Sequence, residues 1–297
     1  MTQNSTGDSL YFVMFFNRIK TAKTAEIALI HSLLILFSMI ITFFMVQAAV
    51  IFIVFDNRFP DNPQLLTEQE KNQIVDSIYS YVQEKPEAVQ KEYIDTVINK
   101  NPALLILNNL FWVFCFILPG YFFLHKKLGI GVNNLSDSFS GRFIGLGALA
   151  GLTTFFMVSS ISLILKLAGI EPQAGDFQKT LFNSLQGNTE LFLWSIYTIG
   201  LVTGIIEELY FRGYLMNHFI EKGLEKEGLV VSSVLFGMIH YGPGTTLSIP
   251  FILTGVGFLF GYSYLKTRNL WVSISAHTVY NSVGLFLTYM SGEKINI

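Results

Sequence analysis

The run "GIIEELYFRG" at 204–213 sets Glu207, Glu208 and Arg212 into an apolar stretch. Further along, "FGMIH" ends on His240, and "HTVYN" carries His277 and Asn281. Ionisable groups inside apolar segments are costly and tend to be functional. Helical spacing sorts them. Glu208 and Arg212 lie four apart, share a face and can pair, which neutralises one acid and holds the arginine. Glu207 is turned about 100° from its neighbour, so it is the acid left free. Phe236 with His240, and His277 with Asn281, repeat the four-residue spacing.

A carboxylate in an apolar pocket can act as general base on water. A histidine can share that proton or align the water. A second histidine and an asparagine amide can donate hydrogen bonds to an oxyanion. That set hydrolyses an amide without a serine or cysteine nucleophile. Two histidines and a glutamate are also enough to hold a catalytic zinc, at His240, His277 and Glu207. A buried polar network that pins helices together, or an ion path, is the competing reading. Convergence of six such groups on three segments weighs against it. Two further polar residues lie in apolar runs. His31 reads as a packed or interfacial histidine without a partner nearby in sequence, and Lys166 as a side chain that snorkels to the interface.

The elements that must carry these residues are membrane helices. The chain has 297 residues, 51% hydrophobic and only 13% charged, with 28 phenylalanines. Soluble domains carry about a quarter charged residues. A helix needs about 20 apolar residues to cross a bilayer. Seven candidates result, at 27–55, 104–124, 142–168, 190–217, 229–246, 248–265 and 270–290, with room for an eighth. The first is long enough to tilt or to extend past the bilayer, and the fifth is the weakest. Arg18, Lys20, Lys23, Lys126, Lys127, Arg142, Lys222, Lys226, Lys266 and Arg268 fall at the N-terminus and in alternate connections. The positive-inside rule then puts the N-terminus in the cytoplasm. On that topology Glu207 lies roughly 15–20 Å from the inner end of its span, His240 roughly 15–18 Å into the next and His277 roughly 10 Å into the last. All three can meet nearer the inner face.

No signal peptide is expected, because the first nine residues are polar and the first long apolar stretch is a retained span. The single cysteine, Cys115, excludes an internal disulfide and reads as a small buried side chain. Segment 56–103 is the soluble-looking insert, with nine acids against five bases. "TEQE" at 67–70 is a capping-box pattern followed by Ile74, Ile78 and Val82. Pro86 then opens a second helix carrying Val89, Tyr93 and Val97. These features predict a helical hairpin outside the membrane.

Three motifs stand in order: Glu-Glu-x-x-x-Arg at 207–212, Phe-x-x-x-His at 236–240 and His-x-x-x-Asn at 277–281. Together they resemble the CPBP family of intramembrane proteases, also called the Abi family. It includes type II CAAX prenyl proteases and bacteriocin-processing or self-immunity proteins. The resemblance covers 185–290. It implies that Glu207 activates water with His240 as partner, that His277 and Asn281 stabilise the oxyanion, and that Glu208 and Arg212 support them. A zincin helix is absent, and Asn is a poor zinc ligand but a good donor, so a metal-free site is expected. The expected organisation is a cytoplasmic tail at 1–26, a first span at 27–55, the hairpin at 56–103, accessory spans at 104–184, the protease core at 185–290 and a tail at 291–297. The expected fold is an all-α polytopic membrane protein of the cell membrane. Its partners would be lipids and a membrane-embedded or lipid-anchored peptide, CAAX-like, with no nucleic acid. A non-catalytic scaffold or bacteriocin self-immunity protein is the alternative. A transporter is disfavoured, since two matching halves with broken spans are missing.

Overall fold

The computed structural model describes residues 22–55, 63–127 and 139–291. Most of the N-terminal tail, the C-terminal tail and the side chain of Cys115 lie outside the described residues. Ten helices organise the rest, and no strand occurs among the described residues. They are α1 (Ala22–Phe55), α2 (Glu68–Glu84), α3 (Pro86–Asp95), α4 (Ile106–Trp112), α5 (Gly141–Leu167) and α6 (Asp176–Ser184). They continue with α7 (Thr189–Glu221), α8 (Glu225–Met238), α9 (Ser248–Thr267) and α10 (Leu270–Met290).

Among the described residues, four helices are long and apolar enough to cross a bilayer: α1 from Thr24, α5, α7 and α9. The other three expected spans are marginal for separate reasons. The apolar helix Pro102–Trp112 is short and continues into π-helical turns at Val113–Ile117 and Gly120–Lys127. The fifth expected span, 229–246, forms only 14 residues of helix, α8, and stops at Met238. Residues 239–247 turn instead, with Gly244 in the left-handed region at φ 76°. The last, α10, has 21 residues but carries Ser273, Ser275, His277 and Asn281. The protein is therefore all-α and membrane-embedded.

The two helices of the expected insert form where the capping box and Pro86 predict them. The Thr67 side chain accepts from the Glu70 backbone N–H while the Glu70 carboxylate accepts from the Thr67 backbone N–H, which closes both ends of the capping box. Pro86 occupies the first turn of α3. Ile78 and Val89 bury against Val50 and Phe55, the last turns of α1. Those turns need this cover, because 34 residues span roughly 51 Å, more than the hydrocarbon thickness. Val97 joins a second cluster with Leu181, Leu185, Leu191 and Leu285. That cluster includes α6, a short amphipathic helix within 104–184 that the search for long apolar runs passes over.

α10 is the central strut, packed between α5 and α7. Gly147 and Gly151 let α5 approach it at backbone distance. A Cβ at Gly147 would sit 2.4 Å from the Val272 carbonyl oxygen, and one at Gly151 2.3 Å from that of Ala276. α8 lies on α9, where Gly237 meets the Pro250 carbonyl oxygen in the same way.

Candidate active site

Helix α7 carries the acids, and its geometry there is unusual. Residues Ile196–Thr203 and Leu209–Met216 are π-helical, and the short α-helical piece Gly204–Glu208 lies between them. Wide turns of this kind frequently accompany functional sites, and they leave carbonyls open to side-chain donors. Asn109 Nδ2 donates to the Thr198 carbonyl oxygen at 3.2 Å and to Thr203 Oγ1 at 3.0 Å. Asn281 Nδ2 donates to the next carbonyl, that of Ile199, at 3.0 Å. Two asparagines from different helices thus brace the wide turn that precedes the glutamates.

Glu208 is fully committed. Its Oε1 accepts from Arg212 Nη1 at 3.0 Å and lies 2.9 Å from His277 Nδ1, and its Oε2 accepts from the Ser273 hydroxyl. Glu208 and Arg212 are both 0% exposed. Arg212 Nη2 donates to the Gly257 carbonyl oxygen at 2.6 Å. The guanidinium carbon lies 5.0 Å from the Phe236 ring centre and 6.0 Å from those of Phe211 and Phe260. A buried ion pair needs such extra partners to offset the loss of hydration. The aromatic faces supply further attraction to the cation.

Glu207 is buried but uncommitted. Its Oε2 has no hydrogen-bond partner and lies 4.0 Å from His277 Nε2. The pairing of Glu208 with Arg212, and the freedom of Glu207, are those the helical spacing predicts. His277 stands between the acids, with Nδ1 to Glu208 and Nε2 facing Glu207. His240 differs from expectation in setting. It lies in the turn after α8 and is half-buried, and its Nδ1 is 2.8 Å from the Phe236 carbonyl oxygen. The Phe236 ring contacts both histidines, with its centre 5.0 Å from that of His240 and 5.7 Å from that of His277. No group of three or more His, Cys, Asp or Glu side chains with metal-holding geometry occurs among the described residues.

Sequence reasoning missed Ser273 and Asn109. Ser273 lies one turn before His277, so its place on the same face was readable, but a serine in an apolar run draws no notice. His31 has partners after all. Its Nε2 lies 3.2 Å from His218 Nδ1, and its Nδ1 lies 3.5 Å from the Tyr210 hydroxyl. Both partners are on α7, 187 and 179 residues away, beyond the reach of local spacing.

The fold and the buried centre define an α-helical membrane protein in which one acid is tied to an arginine and a second is held loose beside a histidine. Residues 189–283 match the family model described as type II CAAX prenyl endopeptidase Rce1-like, which bears out the resemblance carried by the three motifs. Among curated proteins, the chain is 28% identical over 154 residues to "Putative membrane peptidase YdiL" of Bacillus subtilis, covering 49% of this chain and 59% of that protein. It is 28% identical over 165 residues to the UPF0177 protein YxdF of Lactococcus lactis, covering 56% of this chain and 86% of that protein. No solved structure matches.

Proposed function

We propose that the protein is an intramembrane endopeptidase that hydrolyses a peptide bond with a glutamate-activated water. One observation carries this reading: Glu207 Oε2 is buried and without a partner, beside a Glu208 whose hydrogen-bonding capacity is taken. A carboxylate in that state can accept a proton from water. The water oxygen then attacks the scissile carbonyl carbon, and Glu207 passes the proton to the leaving amine. His240 Nε2 aligns the water. His277 Nδ1 faces Glu208, which leaves Nε2 on the Glu207 side for the oxyanion. Asn281 spends one amide hydrogen on Ile199 and has a second for the same oxyanion. Glu208 orients His277, and Arg212 holds Glu208.

The site is metal-free on this reading. Zinc at His240, His277 and Glu207 is the arrangement it competes with. The substrate is a membrane-embedded or lipid-anchored peptide, and the family description makes a prenylated CAAX peptide the first to try. The chain crosses the membrane several times with its N-terminus in the cytoplasm, which places Glu207 nearer the cytoplasmic face.

Cleavage of a fluorogenic peptide panel in liposomes, prenylated peptides included, tests this. Wild type, Glu207→Gln and His240→Ala are compared with and without a strong chelator. Loss in both variants with chelator resistance is the expected result. Loss on chelation with recovery on added zinc overturns the metal-free mechanism. A wild type that cleaves nothing moves the protein to the scaffold or immunity class.

A further inference from the structure

Membrane-embedded threonines usually satisfy their hydroxyls locally, by donating to the carbonyl four residues back. This protein follows that habit. Thr154, Thr198, Thr254, Thr267 and Thr288 all make that bond, at 2.7–2.9 Å. Thr278 does not. Its Oγ1 is buried and has no partner, although the Ile274 carbonyl is four residues back on the same helix; Thr42 Oγ1 shares that state among the described residues, but it lies on α1, which carries none of the site residues.

The hydroxyl faces α7 instead. A Cβ built on Gly204 would meet Thr278 Oγ1 at 3.1 Å and the Thr278 backbone nitrogen at 3.4 Å. A Cβ there would press on that hydroxyl and require it to give by a few tenths of an ångström. Glu207 is three residues beyond Gly204, on the same side of the helix, and helical side chains lean back toward the N-terminus. Its carboxylate therefore leans toward the level of Gly204 and Thr278. His277, whose Nε2 lies 4.0 Å from Glu207 Oε2, is the residue before Thr278. Two buried polar atoms without partners, Glu207 Oε2 and Thr278 Oγ1, thus belong to facing turns of one seam. Ser195 Oγ also lacks a partner, but it lies three turns earlier on α7. Buried polar groups left unsatisfied are rare and call for an explanation, of which an active role is one.

We infer that Thr278 is a water-holding residue of the hydrolytic site, an assignment that rests on the endopeptidase reading. The water donates one hydrogen to Glu207 Oε2 and the other to His240 Nε2, and it accepts the hydroxyl hydrogen of Thr278. Its lone pair is then fixed toward the scissile carbonyl carbon. The first hydrogen is the proton Glu207 takes during attack. Thr278 gains and loses no proton.

Thr278→Val removes the hydroxyl and keeps the shape. With a cleaved peptide in hand, kcat is expected to fall about tenfold or more at unchanged KM, while Thr278→Ser stays within about threefold of wild type. Equal kcat for Thr278→Val and wild type, with Glu207→Gln dead, overturns the Thr278 assignment and leaves the endopeptidase reading standing. An active Glu207→Gln overturns the endopeptidase reading itself. A second readout needs no substrate: the infrared carboxyl band identified by its loss in Glu207→Gln. That band is expected to move in Thr278→Val and to stay in place in Thr278→Ser. An unmoved band in Thr278→Val overturns the assignment. Thermal unfolding separates these outcomes from misfolding, since removing an unsatisfied hydroxyl leaves stability equal or higher.

Discussion

The two adjacent glutamates are alike in sequence and opposite in energetics. Glu208 is the counter-charge of a fully buried arginine and the acceptor for a serine and a histidine. Removing one partner of such a pair strands the other charge, at a cost of about 3–5 kcal/mol. Glu208→Ala and Arg212→Ala should therefore both lower the midpoint of thermal unfolding in detergent sharply. Glu207 Oε2 accepts no hydrogen bond and has only His277 Nε2 at 4.0 Å, so Glu207→Ala should leave that midpoint unchanged or raise it while it abolishes cleavage. Equal destabilisation by Glu207→Ala and Glu208→Ala would contradict the division of labour. This division was legible because both halves are local: a four-residue spacing and a 100° turn. The tie from His277 to Glu208 was not, because it joins helices 69 residues apart. Nothing in the spacing of "HTVYN" says which nitrogen faces which acid.

Helices place these residues through two devices of different visibility. The capping box of α2 is written in four consecutive residues, and it forms as written. Its backbone and hydroxyl donors on Thr67 hold the Glu70 carboxyl below the ordinary glutamate value of 4.5. A carboxyl whose value is depressed on folding stabilises above its unfolded value, and that stabilisation is lost as pH falls through its folded value. The protection of first-turn amides of α2, measured against their intrinsic exchange rate at each pH, should therefore fall on acidification below about pH 4.5, and Thr67→Ala should flatten that dependence. Close helix contact is the second device. Gly147 and Gly151 admit the α10 backbone, whereas a Cβ on Gly145 meets nothing within 4 Å. Gly151→Val should push α5 off α10 and lower both folded yield and activity, and Gly145→Ala should change neither. The π-helical turns of α7 escaped the sequence altogether. Their carbonyls are braced by Asn109 and Asn281 from other helices, so they depend on packing that no local pattern records. The early stop of α8 was half-visible: "GPG" at 242–244 marks the turn, but apolar content alone carries a helix past it.

At the scale of the molecule, polar groups and close contacts converge on α7 and α10, and α1 with the hairpin leans against them from outside. α1 touches this core through the contact of His31 with His218 and Tyr210, and its far end is capped by Phe55 packed into the hairpin. A helix of 34 residues fixed at both places sets how far the hairpin stands from the site. The distance from His31 to Phe55 is 24 residues, roughly 36 Å along the axis, which exceeds the hydrocarbon thickness. On the proposed topology, with α1 crossing the bilayer and His31 beside His218 near the end of α7, the hairpin emerges on the opposite side of the membrane from Lys222. This places Glu68 and Glu92 on one face, and Lys222 and Lys226 on the other. Cysteines introduced singly at those four positions, with Cys115 replaced by serine, test the arrangement through a membrane-impermeant maleimide on intact cells. Labelling at 68 and 92 without permeabilisation, and at 222 and 226 only after it, is the expected pattern. Labelling of all four from one side would require α1 to lie along the membrane instead of across it. The hairpin would then share a compartment with the mouth of the site, and the inner-face placement of Glu207 would fall with the topology.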